Sequence, residues 1–338
     1  SGDRVLTWSQ NDPWLVAAYF GVWRLGAVIV PLDLRMQTDV AVRIGARTDP
    51  KLLLAGAGVD AEPAAQLQVP IVSVDAAGLG ADDGPLTANG EFETPGTVAP
   101  TTMAEILFTS GTTSDPKGVM LTHGQIVHTA RTVAQTGSGS KPDRALGIVP
   151  LSHMYGQSVP LLMGMMTGST LVFLHALTPK AIIATMQRER ITAVTLVPHV
   201  VNVLLQGIEA EARRSGMEAR LKRARRIGRR LPFPLRRYLF RSVLGRLGGA
   251  LDVITSGGAY LSPELQLAWE SRGGRVVQGY GTTECATICG HSRAQRRPGT
   301  AGPPLAGIEV RIAPDGELLV RGPNVMHGYW EAPEATAE

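Results

Sequence analysis

Short apolar runs recur along the chain at residues 27–32, 51–55, 71–74, 145–149, 170–173, 193–197 and 251–255. Each is too brief for a helix, and the runs alternate with stretches of helical pattern. This predicts layers of parallel strands and helices, an α/β architecture. A further run, 106–108, opens into a loop dense in glycine and hydroxyl side chains, and a helical pattern resumes near Gly124. Residues 145–179 carry no formal charge. Pro160 and the break Thr167-Gly-Ser-Thr170 split that stretch into a buried helix and a buried strand. No clean run of about 20 apolar residues is left to cross a bilayer.

Segment 75–102 is turn-rich, with Gly, Ala, Asp, Pro and Thr throughout. It is expected to separate a first α/β lobe, 1–100, from a second, 101–300. A basic helical insertion at 205–248 and a β-rich segment at 301–338 complete the expected division. A length of 338 residues favours two subdomains over one core, and 44% hydrophobic with 18% charged residues is ordinary globular composition. No signal-peptide pattern opens the chain. Two cysteines, Cys285 and Cys289, make no disulfide framework and fit a reducing interior. With His291 they offer three ligands, one short of a closed zinc site.

The loop after residue 108 carries Thr109, Ser110, Gly111, Thr112, Thr113, Ser114, Lys117 and Gly118. Glycines let backbone N–H groups turn inward as an anion nest, hydroxyls add donors, and the lysine supplies charge. It is not the common phosphate loop, because Lys117 precedes Gly118 and no Ser or Thr follows in the magnesium position. Later come Ser256-Gly-Gly-Ala-Tyr-Leu261, Gln278-Gly-Tyr-Gly-Thr-Thr-Glu284, Gly299-Thr-Ala-Gly-Pro-Pro304, Gly316-Glu-Leu-Leu-Val-Arg-Gly322 and Gly328-Tyr-Trp330. Glycine permits close approach to a flat ring, the Tyr280 face suits a purine, and the Glu284 carboxylate is a hard ligand for Mg²⁺.

The order Thr-Ser-Gly-Thr-Thr-x-x-Pro-Lys-Gly, followed by those motifs in sequence, resembles the AMP-forming adenylating enzymes. These are the acyl-CoA synthetases, luciferase-like ligases and peptide-synthetase adenylation domains. Ser114 stands where that family usually has glycine. The resemblance implies the layered parallel-sheet subdomains of the family's N-terminal domain, with the small C-terminal domain and its catalytic lysine lying beyond this chain. It implies that the loop from Thr109 to Gly118 holds the β- and γ-phosphates of ATP. Gly257, Gly258 and Ala259, with Gln278, Gly279, Tyr280, Gly281 and Thr282, would flank the adenine, Tyr280 stacking on it. Thr283 would reach the α-phosphate and Glu284 would hold Mg²⁺.

Pro150-Leu-Ser-His-Met-Tyr-Gly156 resembles the segment where acyl-CoA synthetases place a histidine near the reacting carboxylate, which makes His153 the candidate for that role. Lys117, His153, Thr283 and Glu284 are thus the expected catalytic set. No aspartate placed to grip an amino group follows Ser256, which disfavours an amino-acid substrate.

The stretch from Arg213 to Arg246 holds thirteen Lys or Arg against one acid, Glu218, within a chain of net charge +4. This insertion resembles the long-chain fatty acyl-CoA synthetases. Arg223, Arg225, Arg226, Arg229 and Arg230, with Leu231, Phe233, Leu235, Tyr238 and Leu239 nearby, suit three readings: an anionic membrane surface, CoA phosphates, or a solvated face. No nucleic-acid-binding pattern accompanies them. The expected activity of the full-length parent is therefore ATP-dependent activation of a medium- or long-chain fatty acid and transfer to CoA, in the cytoplasm or peripherally at the inner membrane surface. The chain alone is expected to bind nucleotide and to be catalytically impaired. The alternatives are an acyl-acyl-carrier-protein synthetase, a fatty acyl-AMP ligase, or a non-catalytic nucleotide- or membrane-binding fragment.

Overall fold

The computed structural model describes residues 2–74, 96–109, 116–137, 142–174 and 176–338. Most of the 75–102 connector, and Ser110, Gly111, Thr112, Thr113 and Ser114 of the loop, lie outside the described residues. The strands in chain order are β1 (Arg4–Trp8), β2 (Val28–Leu32), β3 (Leu52–Ala55), β4 (Ile71–Ser73), β5 (Met103–Thr109), β6 (Lys117–Thr122), β7 (Arg144–Gly147) and β8 (Thr170–Phe173). They continue as β9 (Ala193–Leu196), β10 (Val253–Ser256), β11 (Arg275–Thr282), β12 (Ala286–Gly290), β13 (Glu309–Ile312), β14 (Leu318–Arg321) and β15 (Gly328–Tyr329).

The chain divides into two compact units: residues 1–128, 150–154 and 323–338 form one, and 129–149 with 155–322 the other. This division differs from the lobes expected from sequence. The reason is pairing: β5 joins β2 in parallel and β6 joins β5 antiparallel, so the β5–β6 hairpin belongs to the first sheet.

In the first unit seven strands run in the order β15-β6-β5-β2-β1-β3-β4. Leu6, Val28, Val30, Leu32, Leu53 and Ile106 from the strands pack with Ala41 and Ile44 of helix Thr38–Thr48. Burying each leucine or isoleucine is worth about 1.5–3 kcal/mol, so these runs fix which strands lie inside. Helix Pro13–Arg24 starts where the Asp12 carboxylate accepts from Leu15 N–H at 2.7 Å, with Pro13 in the first turn, where its missing N–H costs nothing.

In the second unit six strands run β12-β11-β10-β9-β7-β8, parallel except for the β11–β12 hairpin. Val194, Leu196, Ile254 and Val276 pack with Val201 and Leu204 of helix Pro198–Arg214 and with Trp269 of helix Pro263–Glu270. Trp269 Nε1 donates to Val201 O at 3.2 Å, satisfying the buried indole. The uncharged 145–179 stretch forms helical turns from Met154 to Met166, π-helical around Pro160, and then β8. The helical part is buried as far as Gly164, whereas Met165 and Met166 are exposed and β8 is only half-buried because it lies at the sheet edge. No described helix is long and apolar enough to cross a membrane.

Candidate functional site

In both units the sequence motifs sit at or just beyond the carboxyl ends of parallel strands, where open α/β sheets place their ligand sites. In the first unit Thr109 closes β5 and Lys117 opens β6, and the two are register partners that bracket the loop. Thr109 Oγ1 donates to Lys117 O at 3.4 Å. The Lys117 ammonium lies over the Tyr329 ring, 5.1 Å from its centroid. Gly118 is required by packing. A Cβ there would lie 2.9 Å from Ile106 Cγ2 and 3.0 Å from Phe108 Cζ.

His153 sits in the turn Pro150–Met154, which hydrogen bonds fasten to the rest of the first unit. Leu151 N–H donates to Asn11 Oδ1 at 2.8 Å, and Tyr19 Oη donates to Leu151 O at 3.3 Å. Ser152 Oγ donates to Asp33 Oδ2 at 3.2 Å, and His153 Nε2 lies 2.9 Å from the same oxygen. Arg35 adds its backbone N–H and Nε to Oδ1 and its Nη2 to Oδ2, at 2.8, 3.0 and 2.9 Å. Burial opposes ionisation of Asp33, but the His153 and Arg35 hydrogen bonds prevail and hold its carboxyl below the ordinary range. Asp33, Arg35 and Ser152 were missed in the sequence. The one signal was a polar residue just past an apolar run, at the end of β2.

In the second unit Gly257 and Gly258 follow β10. A Cβ on Gly257 would sit 3.1 Å from the Tyr155 ring, and Gly258 has φ +76°, the left-handed region glycine favours. Gln278 and Gly279 lie in β11, with Gln278 opposite Ser256 in register. Tyr280 is 40% exposed, its ring available for stacking. The β11–β12 register shifts at Tyr280/Gly281, a bulge that re-aims the strand end. Thr283, Glu284 and Cys285 form the turn, in which Cys285 N–H donates to Thr282 Oγ1 at 3.1 Å. Gly281 admits no side chain, since a Cβ would fall 1.8 Å from Ala286 O.

His291 follows β12, buried at 4% exposure, and burial pushes its imidazole below the ordinary value. Its Nε2 accepts from Arg297 N–H at 3.2 Å and lies 3.0 Å from Thr300 Oγ1. Among the described residues no group of three His, Cys, Asp or Glu side chains is placed to hold a metal. One carboxylate at a half-exposed turn, as Glu284 presents, is nonetheless what Mg²⁺ takes when phosphate oxygens and water complete its shell.

Helix Glu218–Gly228 exposes Arg220, Arg223 and Arg226, and the segment that joins it to helix Phe233–Leu239 exposes Arg229 and Arg230. Lys222 pairs with Glu218, and Arg225 and Arg272 face Glu209, so part of the charge is met locally.

Residues 1–330 match the AMP-binding enzyme family. The chain is 32% identical, over 99% of its length and 64% of the relative's, to the 3-[(3aS,4S,7aS)-7a-methyl-1,5-dioxo-octahydro-1H-inden-4-yl]propanoyl:CoA ligase of Mycobacterium tuberculosis. It is 29% identical, over its whole length and 63% of the relative's, to the feruloyl-CoA synthase of an Amycolatopsis species. The chain thus spans under two thirds of the length of these curated relatives. Among solved structures, VinN in complex with L-aspartate superposes at a TM-score of 0.77 with 28% identity, over 99% of this chain and 79% of that one. This chain belongs to the AMP-binding enzyme family. The relatives named here are not fatty acyl-CoA synthetases, so the narrower likeness to the long-chain branch gives way to the family as a whole.

Proposed function

We propose that the full-length protein carrying this chain joins a carboxylic acid to CoA at the expense of ATP. A carboxylate oxygen attacks the α-phosphorus in line, the bond to the β-phosphate oxygen breaks, and pyrophosphate leaves with that electron pair. The CoA thiol then loses its proton, attacks the acyl carbonyl and expels AMP. In the first step the protein positions reactants and neutralises charge. Thr109, Lys117 and Gly118, with Ser110, Gly111, Thr112, Thr113 and Ser114 between them, bind the β- and γ-phosphates. The strand end from Gln278 to Thr282, with Gly257, Gly258 and Ala259, receives the adenine, and Tyr280 stacks on it. Thr283 orients the α-phosphate, and His153 faces the acid's carboxylate. Glu284 would hold Mg²⁺, which when bound offsets the charge of the phosphates.

The observation that carries this reading is the β11–β12 turn. It presents an exposed aromatic face, two hydroxyls and a carboxylate within five consecutive residues, Tyr280 to Glu284, beside a glycine that only a close backbone approach requires.

The acid we propose has an apolar body and a single carboxylate. The relatives' names point to aromatic and polycyclic acids, and the basic insertion to fatty acids. A pyrophosphate-release assay with Mg·ATP, CoA present or absent, and acids running from acetate through oleate, ferulate and indoleacetate tests it. Release that depends on one acid class and rises with CoA supports the reading. Release that ignores CoA points to a carrier-protein acceptor or an acyl-AMP ligase. No release from folded protein refutes it, and Glu284→Ala retaining full activity refutes the metal assignment.

A further inference from the structure

We propose that Asp33 is a positioning residue for His153. By accepting the Nε2 hydrogen it fixes the imidazole and leaves Nδ1 as the atom offered to the acid, a donor to its carboxylate when the ring carries a hydrogen on both nitrogens. The proposal rests on the assignment of His153 to the carboxylate made above, and deepens it.

The Asp33 side chain is 14% exposed and that of His153 51%, so the carboxylate forms a covered base from which a more open ring projects. Five donors converge on the two oxygens: the backbone N–H, Nε and Nη2 of Arg35, Ser152 Oγ and His153 Nε2. A carboxylate so surrounded stays ionised and acts only as an acceptor. The ring nitrogen facing it at 2.9 Å therefore carries the hydrogen, whatever the charge of the ring. Arg35 Nη2 also comes within 3.3 Å of His153 Nε2. With Nε2 already carrying a hydrogen, and a guanidinium having no acceptor, this is no hydrogen bond between them. Both are donors brought side by side because both aim at Oδ2.

The tautomer is thus assigned by an oxygen 120 residues away in sequence, and the ring cannot turn over without surrendering that bond. The turn itself is anchored independently at Leu151, by Asn11 and Tyr19. Asp33 therefore acts on the ring and on Ser152, while the backbone beneath is held by other groups.

The test uses the full-length protein and acid-dependent pyrophosphate–ATP exchange. Asp33→Asn, which keeps the side-chain shape, and Asp33→Ala are expected to lower kcat about tenfold to hundredfold, with the KM for ATP within about twofold of wild type. In a His153→Ala background, Asp33→Ala is expected to cost nothing further, because the group it positions is gone. Wild-type rates in the Asp33 variants while His153→Ala is impaired, or losses that multiply in the double variant, would overturn the proposal. Should His153→Ala keep full exchange, the assignment of His153 itself fails and Asp33 falls with it.

A second comparison avoids any change at Asp33. The amide of asparagine reaches the place of ring Nδ1, and that of glutamine the place of Nε2. His153→Asn is expected to retain several-fold more exchange than His153→Gln, and the reverse order would overturn the assignment of Nδ1.

Discussion

Replacing Gly281 by alanine tests whether the β11–β12 turn organises the site. The added Cβ would fall 1.8 Å from Ala286 O and 2.8 Å from its carbonyl carbon. Ordinary non-bonded contact lies at about 3.5 Å, so the strands must part locally by roughly 1.5 Å. Both obstructing atoms are backbone, at the hairpin turn where Ala286 already holds φ +47°, and no rotamer change relieves the clash. Overpacking of this kind costs about 1–3 kcal/mol of stability. The larger effect falls on the neighbours, Tyr280 on one side and Thr283 and Glu284 on the other. Misplacing reacting groups by about 1 Å costs roughly a hundredfold in rate, so kcat/KM for acid-dependent pyrophosphate exchange should fall about a hundredfold. The assay is that exchange reaction, run beside a thermal melt, with Gly290→Ala on the partner strand as control. A Cβ at Gly290 meets only Leu305 Cδ2, at 3.6 Å. If Gly281→Ala exchanges within threefold of wild type, the turn does not place the reacting groups and the reasoning fails.

Three further outcomes follow from the geometry. Gly207 lies within helix Pro198–Arg214 with open space where a Cβ would go, so Gly207→Ala should stabilise the chain by about 1 kcal/mol and raise Tm. Asp252 stands among Arg275, Arg293 and Arg237, and Asp252→Ala should cost about 1–3 kcal/mol by leaving three guanidiniums facing one another, read as a lower urea midpoint. The Asp33 carboxyl titrates below its ordinary range in the folded state, so its contribution is complete above about pH 4 and is lost as pH falls further. Urea unfolding at pH 5 and pH 3 should show wild type losing part of its advantage over Asp33→Asn at the lower pH.

Much of the fold was legible because buried parallel strands read as near-continuous apolar runs: 28–32 is apolar throughout, and 193–196 is interrupted only by Thr195. Strand β6 escaped notice. Its Val119 and Leu121 are buried, but it follows the Gly- and Ser-rich loop directly and leads into helix His123–Gly137 without a break. Nothing local marks β15 either, since two residues become a strand only by pairing with Val119 and Met120. The motifs proposed to bind nucleotide were visible because their chemistry is contiguous in sequence, Tyr280 to Glu284 above all. The Asp33–His153 pair was not, because its members come from separate parts of the chain and meet only once the turn Pro150–Met154 is fastened down.

The pairing of β15 with β6 also sets an order for synthesis. When Thr122 leaves the ribosome, the outer edge of β6 has no neighbour, and the strand that covers it is about two hundred residues downstream. At about 5–20 residues per second, that edge waits on the order of 10–40 s. Throughout the wait, its unpaired N–H and C=O groups can template a foreign strand. The nascent chain therefore carries an adhesive rim while most of the second unit is still being made, a window in which a chaperone that shields strand edges would raise the yield of folded protein.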